Sequence, residues 1–282
     1  MKIITSFGYM TPVKKGANLN RNRFGRLDWQ MKVEANRVEF KDIEGMRDIY
    51  RQEMNCQIIH DSIHGRPGWT HEYLITTAGV KVGYGSVAVA GPWQANPCVY
   101  EFFVLPQYRG RLFDFFLVFL AASCVTQIET QSNDLLLTVL LHAFTATVSS
   151  ESILFYDKFT TAHSPPNAYF RKACEEDSHQ IVQQDLNSEA KWLVAVDGVV
   201  AATGDILFHY NRPYGDIYVK VAESFRKRGL GTYLVQELKR VCYESGSVPA
   251  ARCNPKNVAS RQALQKAGFV PCGHILKGAI SL

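Results

Sequence analysis

No stretch of this 282-residue chain approaches the ~18 consecutive apolar residues that a membrane-spanning helix requires. The opening MKIITSFGYMTP also lacks the apolar centre of a secretory leader. No membrane partner is therefore expected, and the expected compartment is the cytoplasm. The seven cysteines contain no Cys-x-x-Cys pair, and an odd number spread from Cys56 to Cys272 reads as reduced core residues. His60, Asp61 and His64 can share one helical face, but no further ligand accompanies them, so no metal is expected. Acid is missing altogether from residues 1–27, which hold Lys2, Lys14, Lys15, Arg21, Arg23 and Arg26. That leaves 25 of the 31 basic residues for the rest of the chain, against all 26 acids. A body so close to neutral argues against a broad nucleic-acid face, and the basic arm reads as a solvated tail.

What is present is apolar substance for two cores: 46% of the residues are hydrophobic, in a chain longer than one modest domain. Apolar periodicity and turn residues predict a helix at 41–55, strands at 72–78, 80–90 and 98–105, and a helix at 111–123. A strand at 124–131, a helix at 133–146 and a strand at 152–159 follow. Ser164-Pro165-Pro166-Asn167 then breaks the pattern. Beyond it come strands at 168–174, 191–197, 199–209 and 215–222, a helix at 229–245, a strand at 248–253, a helix at 258–267 and a closing strand pair within 269–281. The expected organisation is a basic arm (1–27), a first α/β half (28–163) and a second (168–282), each a mixed, mostly antiparallel sheet flanked by helices.

Two segments carry chemistry. Arg226-Lys227-Arg228-Gly229-Leu230-Gly231-Thr232 lies between a strand and a helix, where glycines let the backbone approach a ligand and the helix start presents unpaired N–H groups. Alone, it also fits an ordinary turn with a solvated charged rim. Downstream, Asn257-Val258-Ala259-Ser260 opens a helix that ends at Gly268-Phe269, a pattern that capping by itself explains. In this order, with a helix and a strand between them, the two segments resemble the Gcn5-related N-acetyltransferases, the GNAT superfamily. Arg226, Gly229 and Gly231 match its Arg/Gln-x-x-Gly-x-Gly/Ala motif, and Asn257, Ser260, Gly268 and Phe269 match the later one.

The resemblance, which covers residues 168–282, implies an acetyl-CoA-dependent N-acetyltransferase acting on a primary amine, with acetyl-CoA as donor substrate. It implies that pantetheine adds along the backbone of Val219 and Val221. The pyrophosphate would rest on Arg226, Arg228, Gly229, Gly231 and Thr232, with Leu230 in the same turn, Lys227 beside it, and Asn257 and Ser260 near the pantetheine arm. Asp216 is the first candidate for the base, with Glu223 and Glu101 as alternatives and Tyr218 as a candidate acid. The tyrosine that many relatives carry four residues before the Gly of Gly-Phe is Leu264 here, which leaves the acid open. Cys253 reads as a buried structural thiol.

The first half echoes the second without gaps. Tyr73, Gly79, Gly85 and Arg109-Gly110 stand 119 positions before Trp192, Gly198, Gly204 and Arg228-Gly229. The order of elements is shared, which implies a tandem GNAT-like chain. Leu112 takes the place of Gly231, so the first turn is expected to bind coenzyme poorly, and its apolar helix to be buried. The second half shows no clear helical pair between its first two strands, and the first half is expected to wall the acceptor site. Two other functions fit the same residues: a non-catalytic CoA-binding or sensing protein, and an acyl or aminoacyl transferase with a different donor.

Overall fold

The computed structural model describes residues 32–54, 57, 61–208 and 210–281. The basic arm, Cys56, His60 and His209 lie outside them. The first half runs β1 (Val33–Val38), α1 (Glu44–Met54), α2 (Asp61–His64), β2 (Thr70–Thr77), β3 (Val80–Ala88), β4 (Cys98–Val104), α3 (Leu112–Ser123), β5 (Gln127–Gln131), α4 (Leu135–Phe144) and β6 (Ser149–Asp157). The second runs β7 (Ala168–Lys172), α5 (Ser178–Gln183), β8 (Trp192–Val196), β9 (Val199–Leu207), β10 (Tyr214–Val221), α6 (Leu230–Glu244), β11 (Val248–Cys253), α7 (Val258–Lys266) and β12 (Phe269–Ala279). The architecture is mixed α/β. Within the described residues the strands form one twelve-stranded sheet in the order β1-β2-β3-β4-β5-β12-β6-β11-β10-β9-β8-β7. Most neighbours are antiparallel, and β4–β5 and β10–β11 are the parallel pairs.

The repeat read from the sequence is a repeat of register. Tyr73 pairs with Gly85 as Trp192 pairs with Gly204. Both hairpins then slip by one residue at the same place, after Ile75–Gly83 and after Val194–Ala202. The helix contacts repeat as well. A Cβ on Gly85 would strike the Phe119 ring of α3 at 2.5 Å, and one on Gly204 would strike Leu238 of α6 at 2.9 Å. At both glycines the missing side chain lets the helix settle on the sheet.

Two cores lie on the α3 and α6 side of the sheet. Phe102, Phe115, Phe116, Phe119, Leu137 and Leu140 build one, and Ile217, Leu230, Leu234, Leu238, Leu264 and Phe269 the other. Burial of α3 is one-sided: Phe115, Phe116 and Phe119 are enclosed while Phe113 and Leu117 remain about half exposed. The opposite face of the first half is covered by α1, whose Tyr50 packs with Ile43, Tyr84 and Phe103.

Several elements depart from the sequence reading. β1 adds an outer strand on β2, and a 3₁₀ turn (Glu175–Asp177) with the short α5 stands between β7 and β8. The closing strand pair is a single strand, β12, which bulges at Cys272 and again after Ile275. It lies between β5 of the first half and β6, while β6 lies between β12 and β11 of the second. Each half thus ends on a strand that completes the sheet of the other.

Candidate functional site

The ladder between β10 and β11 stops at Ile217–Ala251, although β10 continues to Val221 and β11 to Cys253. Beyond that point the two parallel strands diverge, and β10 keeps only its β9 partner, with Val219 opposite Gly204 and Val221 opposite Ala202. The backbone of β10 from Tyr218 to Val221 therefore turns a ladder edge toward the gap. A cavity of about 110 Å³ opens there, lined by Ile217, Tyr218, Val219, Val235, Arg252, Ser260, Ala263 and Leu264. An extended ligand can use such an edge as a strand does.

The turn that follows points the same way. Lys227 (φ 64°) and Gly229 (φ 79°) are both left-handed, and Arg226, between the 3₁₀ turn Glu223–Phe225 and Lys227, is extended. Alternating handedness aims successive N–H groups into one concavity. Gly229 caps α6 without any side-chain hydrogen bond, and the first bond of the helix runs from Tyr233 N to the Gly229 carbonyl. The N–H groups of Leu230, Gly231 and Thr232 precede it and have no helical acceptor. Arg226 and Lys227 are exposed; Arg228 lies over the Phe225 ring and donates to the Ser224 carbonyl at 3.1 Å. A Cβ on Gly231 would come to 3.4 Å from Val221, so a large side chain would fill the space between turn and strand. These groups fit a diphosphate: main-chain donors without helical acceptors, a helix start and exposed cations.

On the other sheet face, Asp216 is 4% exposed and burial pushes its carboxyl up to about 6, against the pull of Arg252. Arg252 Nε lies 3.2 Å from Asp216 Oδ2, and Oδ1 has no hydrogen-bond partner. Arg252 also stacks over the Tyr210 ring at 4.7 Å and donates to its hydroxyl. Tyr218 follows on the same face; burial raises its phenol, helped by Asp205 and Glu189, and Asn187 Nδ2 donates to it at 3.2 Å. Glu223 is exposed and sits 4.0 Å from Arg226. Asn257 caps α7, accepting from Ser260 N at 3.0 Å, so its side-chain oxygen is engaged as the capping pattern implied. Burial raises the Cys253 thiol, which leaves it a weak nucleophile.

Glu101 lies on β4 in the first half and faces a different environment. Arg47 of α1 grips it with Nε and Nη2 at 2.9 Å each, Tyr84 donates at 3.0 Å, and His64 Nε2 stands 3.4 Å away. Burial alone would raise this carboxyl, but Arg47 and His64 bring it down to about 2. It is an anchored counter-ion and a poor proton acceptor. His64, whose imidazole is raised despite burial by Glu101 and Glu72, joins Glu72, Tyr100 and Glu101 into one buried network. Asp61 is held by Arg47 and Arg51. Among the described residues no cluster of His, Cys, Asp and Glu suits a metal.

The sequence reading missed Arg252, Arg47 and Lys239. Arg252 and Lys239 carried a signal, a charge among the apolar residues of a strand and of a helix face, whereas Arg47 stands in a largely polar helix and carried none. Lys239 is 6% exposed on α6 and holds the segment after β6, reaching Asp157 Oδ1 at 2.6 Å and the Phe159 and Ala267 carbonyls at 2.9 and 2.7 Å. That segment then follows α6 toward its start, where Thr161 meets Gln236 and the His163 ring rests on Gly229.

Residues 156–269 match the family model described as Acetyltransferase (GNAT) family. Among solved structures, the chain is similar to an acetyltransferase from the GNAT family from Colwellia psychrerythraea, at TM-score 0.71 and 16% identity over 88% of this chain and 100% of that one. It is similar to a tandem GNAT protein from the clavulanic acid biosynthesis pathway, at TM-score 0.57 and 12% identity over 89% and 99% of the two chains. A GCN5-related N-acetyltransferase from Sphaerobacter thermophilus gives 0.57 and 14% over 89% and 96%. No curated protein sequence matches. The splayed strands, the nest-like turn and the capped α7 all fall inside the matched region, so residues 156–269 are a GNAT-family domain, set in a chain with the fold of tandem GNAT proteins.

Proposed function

We propose that this protein transfers an acetyl group from acetyl-CoA to a primary amine, with the coenzyme held by the second half. The observation that carries the reading is the divergence of β10 and β11 beyond Ile217–Ala251, directly before a turn with two left-handed residues and an uncapped helix start. Pantetheine would bond to the free edge of β10 at Val219 and Val221. The diphosphate would rest on the N–H groups of the Gly229–Thr232 turn, with Arg226, Lys227 and Arg228 around it and Ser260 lining the cavity beyond. Asn257 acts mainly by fixing the start of α7.

In this reading the acceptor arrives on the Asp216 face as an ammonium. Asp216 Oδ1, which is enclosed, takes a proton from it through a bridging water, the amine nitrogen attacks the thioester carbonyl, and as the carbon–sulfur bond breaks the nitrogen gives its second proton to solvent and the amide forms. A carboxyl near 6 is a stronger base than an ordinary one and is still ionised at neutral pH. The departing sulfur takes a proton from Tyr218 or from solvent. The first half supplies the acceptor wall through α1, whose Arg51 reaches Asn211 in the loop before β10, and its own turn takes no coenzyme. Glu223, solvated beside the turn, has no proton to move in this scheme.

Calorimetry with acetyl-CoA on the wild type and Gly231→Leu tests the cradle. Tight binding by the wild type and its loss in the variant are expected; equal affinity in both would contradict it. Thiol release with a panel of polyamines, aminoglycosides, amino acids and peptide N-termini then identifies the acceptor. Coenzyme binding with no acceptor in such a panel would favour a CoA-sensing protein.

A further inference from the structure

α1 belongs to the first half, yet one of its side chains crosses to the loop that serves Asp216. Arg51 Nε donates to Asn211 Oδ1 at 2.9 Å, while its Nη1 lies 3.3 Å from Asp61, the carboxylate shared with Arg47 one turn earlier. Asn211 is 2% exposed, and its carbonyl accepts from Tyr214 N at the start of β10. Its chain neighbour Tyr210, 7% exposed, accepts from Arg252 and carries that guanidinium on its ring. Arg252 in turn touches Asp216 through Nε and Oδ2 only.

A guanidinium free to turn beside a buried carboxylate closes on both oxygens, because the two-bond fork is the stronger arrangement. Here the pull of Tyr210 on the far side of Arg252 opposes that closure. We propose that Arg51 is a positioning residue for the acid–base site of the other half: through Asn211 and Tyr210 it keeps Arg252 from closing on Asp216, and so keeps the enclosed Oδ1 unpaired and able to take a proton relayed from the acceptor. The inference rests on the reading of Asp216 as the base. Among the described residues, Arg252 from β11 and Tyr210 from the loop are the ionisable groups acting with Asp216; Tyr156 of β6 lies two strands away in the same row, and Glu129 of β5 acts on Tyr210.

The test is a carbon-13 titration of the Asp216 carboxyl in the full chain, its resonance identified by loss in Asp216→Asn. Arg51→Met is expected to lower the midpoint by about one unit, since a two-bond partner stabilises the ionised form. Tyr210→Phe, which keeps the ring and removes the hydroxyl, is expected to move it the same way, and Arg51→Lys, whose single ammonium cannot hold Asp61 and Asn211 together, carries the test of Arg51 should Arg51→Met fail to fold. An unchanged or raised midpoint overturns the coupling. The pH profile of acetyl transfer separates this from the parent reading. If Asp216→Asn abolishes the acid limb but Tyr210→Phe leaves the carboxyl in place, only the coupling falls. If the limb survives in Asp216→Asn while the carboxyl still moves in Tyr210→Phe, only the base assignment falls.

Discussion

The two halves share a hairpin register, a slip in that register, a glycine under the helix and a diverging parallel strand pair, yet one corner is open and the other is shut. In the second half the gap between β10 and β11 leads to a cavity and a turn with two left-handed residues. In the first, the β4–β5 ladder is even shorter, stopping at Val99–Ile128, but Leu137, Leu140 and Leu141 of α4 pack with Phe102, Val104 and Ile128 in the same core. The turn there is a 3₁₀ helix, Pro106–Arg111, in which no residue is left-handed. Its arginines are engaged: Arg109 on the Val104 carbonyl and Glu53, Arg111 on Asp114 and the Phe115 ring. A shared scaffold evidently tolerates either outcome, and handedness in the turn plus one helix of aliphatic side chains decide which.

The sharpest contrast is between two buried carboxylates. Glu101 is fully paired and Asp216 half paired, so removing the charge should have opposite effects. Glu101→Gln leaves Arg47, 3% exposed, with only the partly exposed Asp61 as counter-charge and is expected to cost about 3 kcal/mol in urea denaturation. Asp216→Asn should cost little at neutral pH and instead flatten the pH dependence of stability. The folded Asp216 carboxyl lies at about 6 against 3.8 for an ordinary one, so the folded state holds the proton more tightly. Its favourable contribution is complete below pH 3.8 and is lost as pH rises through 6, a change of about 3 kcal/mol. Asp134, also buried and raised to about 6, contributes a second slope of the same sign that persists in the variant. Identical slopes in wild type and Asp216→Asn would show that Asp216 is not the raised carboxylate described above.

Smaller effects test the two turns. Gly231→Leu is expected to weaken acetyl-CoA binding at least thirtyfold, about 2 kcal/mol. The reverse change, Leu112→Gly, is expected to create no second site, because the filled β4–β5 gap and the 3₁₀ turn remain. Calorimetric stoichiometry above one for that variant would mean a single residue separates the halves. The smallest change is Asn257→Ala, a lost helix cap worth about 1 kcal/mol in thermal denaturation, with little loss of coenzyme affinity.

Much of this comparison was legible in the sequence, for reasons that differ by element. The β2–β3 and β8–β9 hairpins announce themselves through alternation and through glycines at a fixed offset, since each glycine answers a local demand of helix on sheet. The Arg226–Thr232 turn was legible because backbone chemistry near a phosphate restricts residue type. The fate of β12 was not: a strand of ordinary composition pairs with whichever edge the whole chain leaves open, and nothing within Phe269–Ala279 names β5 or β6. The pairing of Glu101 with Arg47 was hidden for the same reason, since α1 is amphipathic by pattern but its partner strand is more than fifty residues away. That Asp216 would be raised and half paired depended on Arg252 and Tyr210 converging from two separate segments.

The exchange of β6 and β12 bears on how the chain comes to be folded at all. β5 ends at Gln131, and the strand that closes its open side begins at Phe269. Until that strand is made, the first half carries an unsatisfied edge next to an aromatic-rich core, the arrangement most prone to pairing with a stranger. Neither half can be finished ahead of the other, so their maturation is a single late event, and excising either as a fragment would recreate the exposed edge permanently.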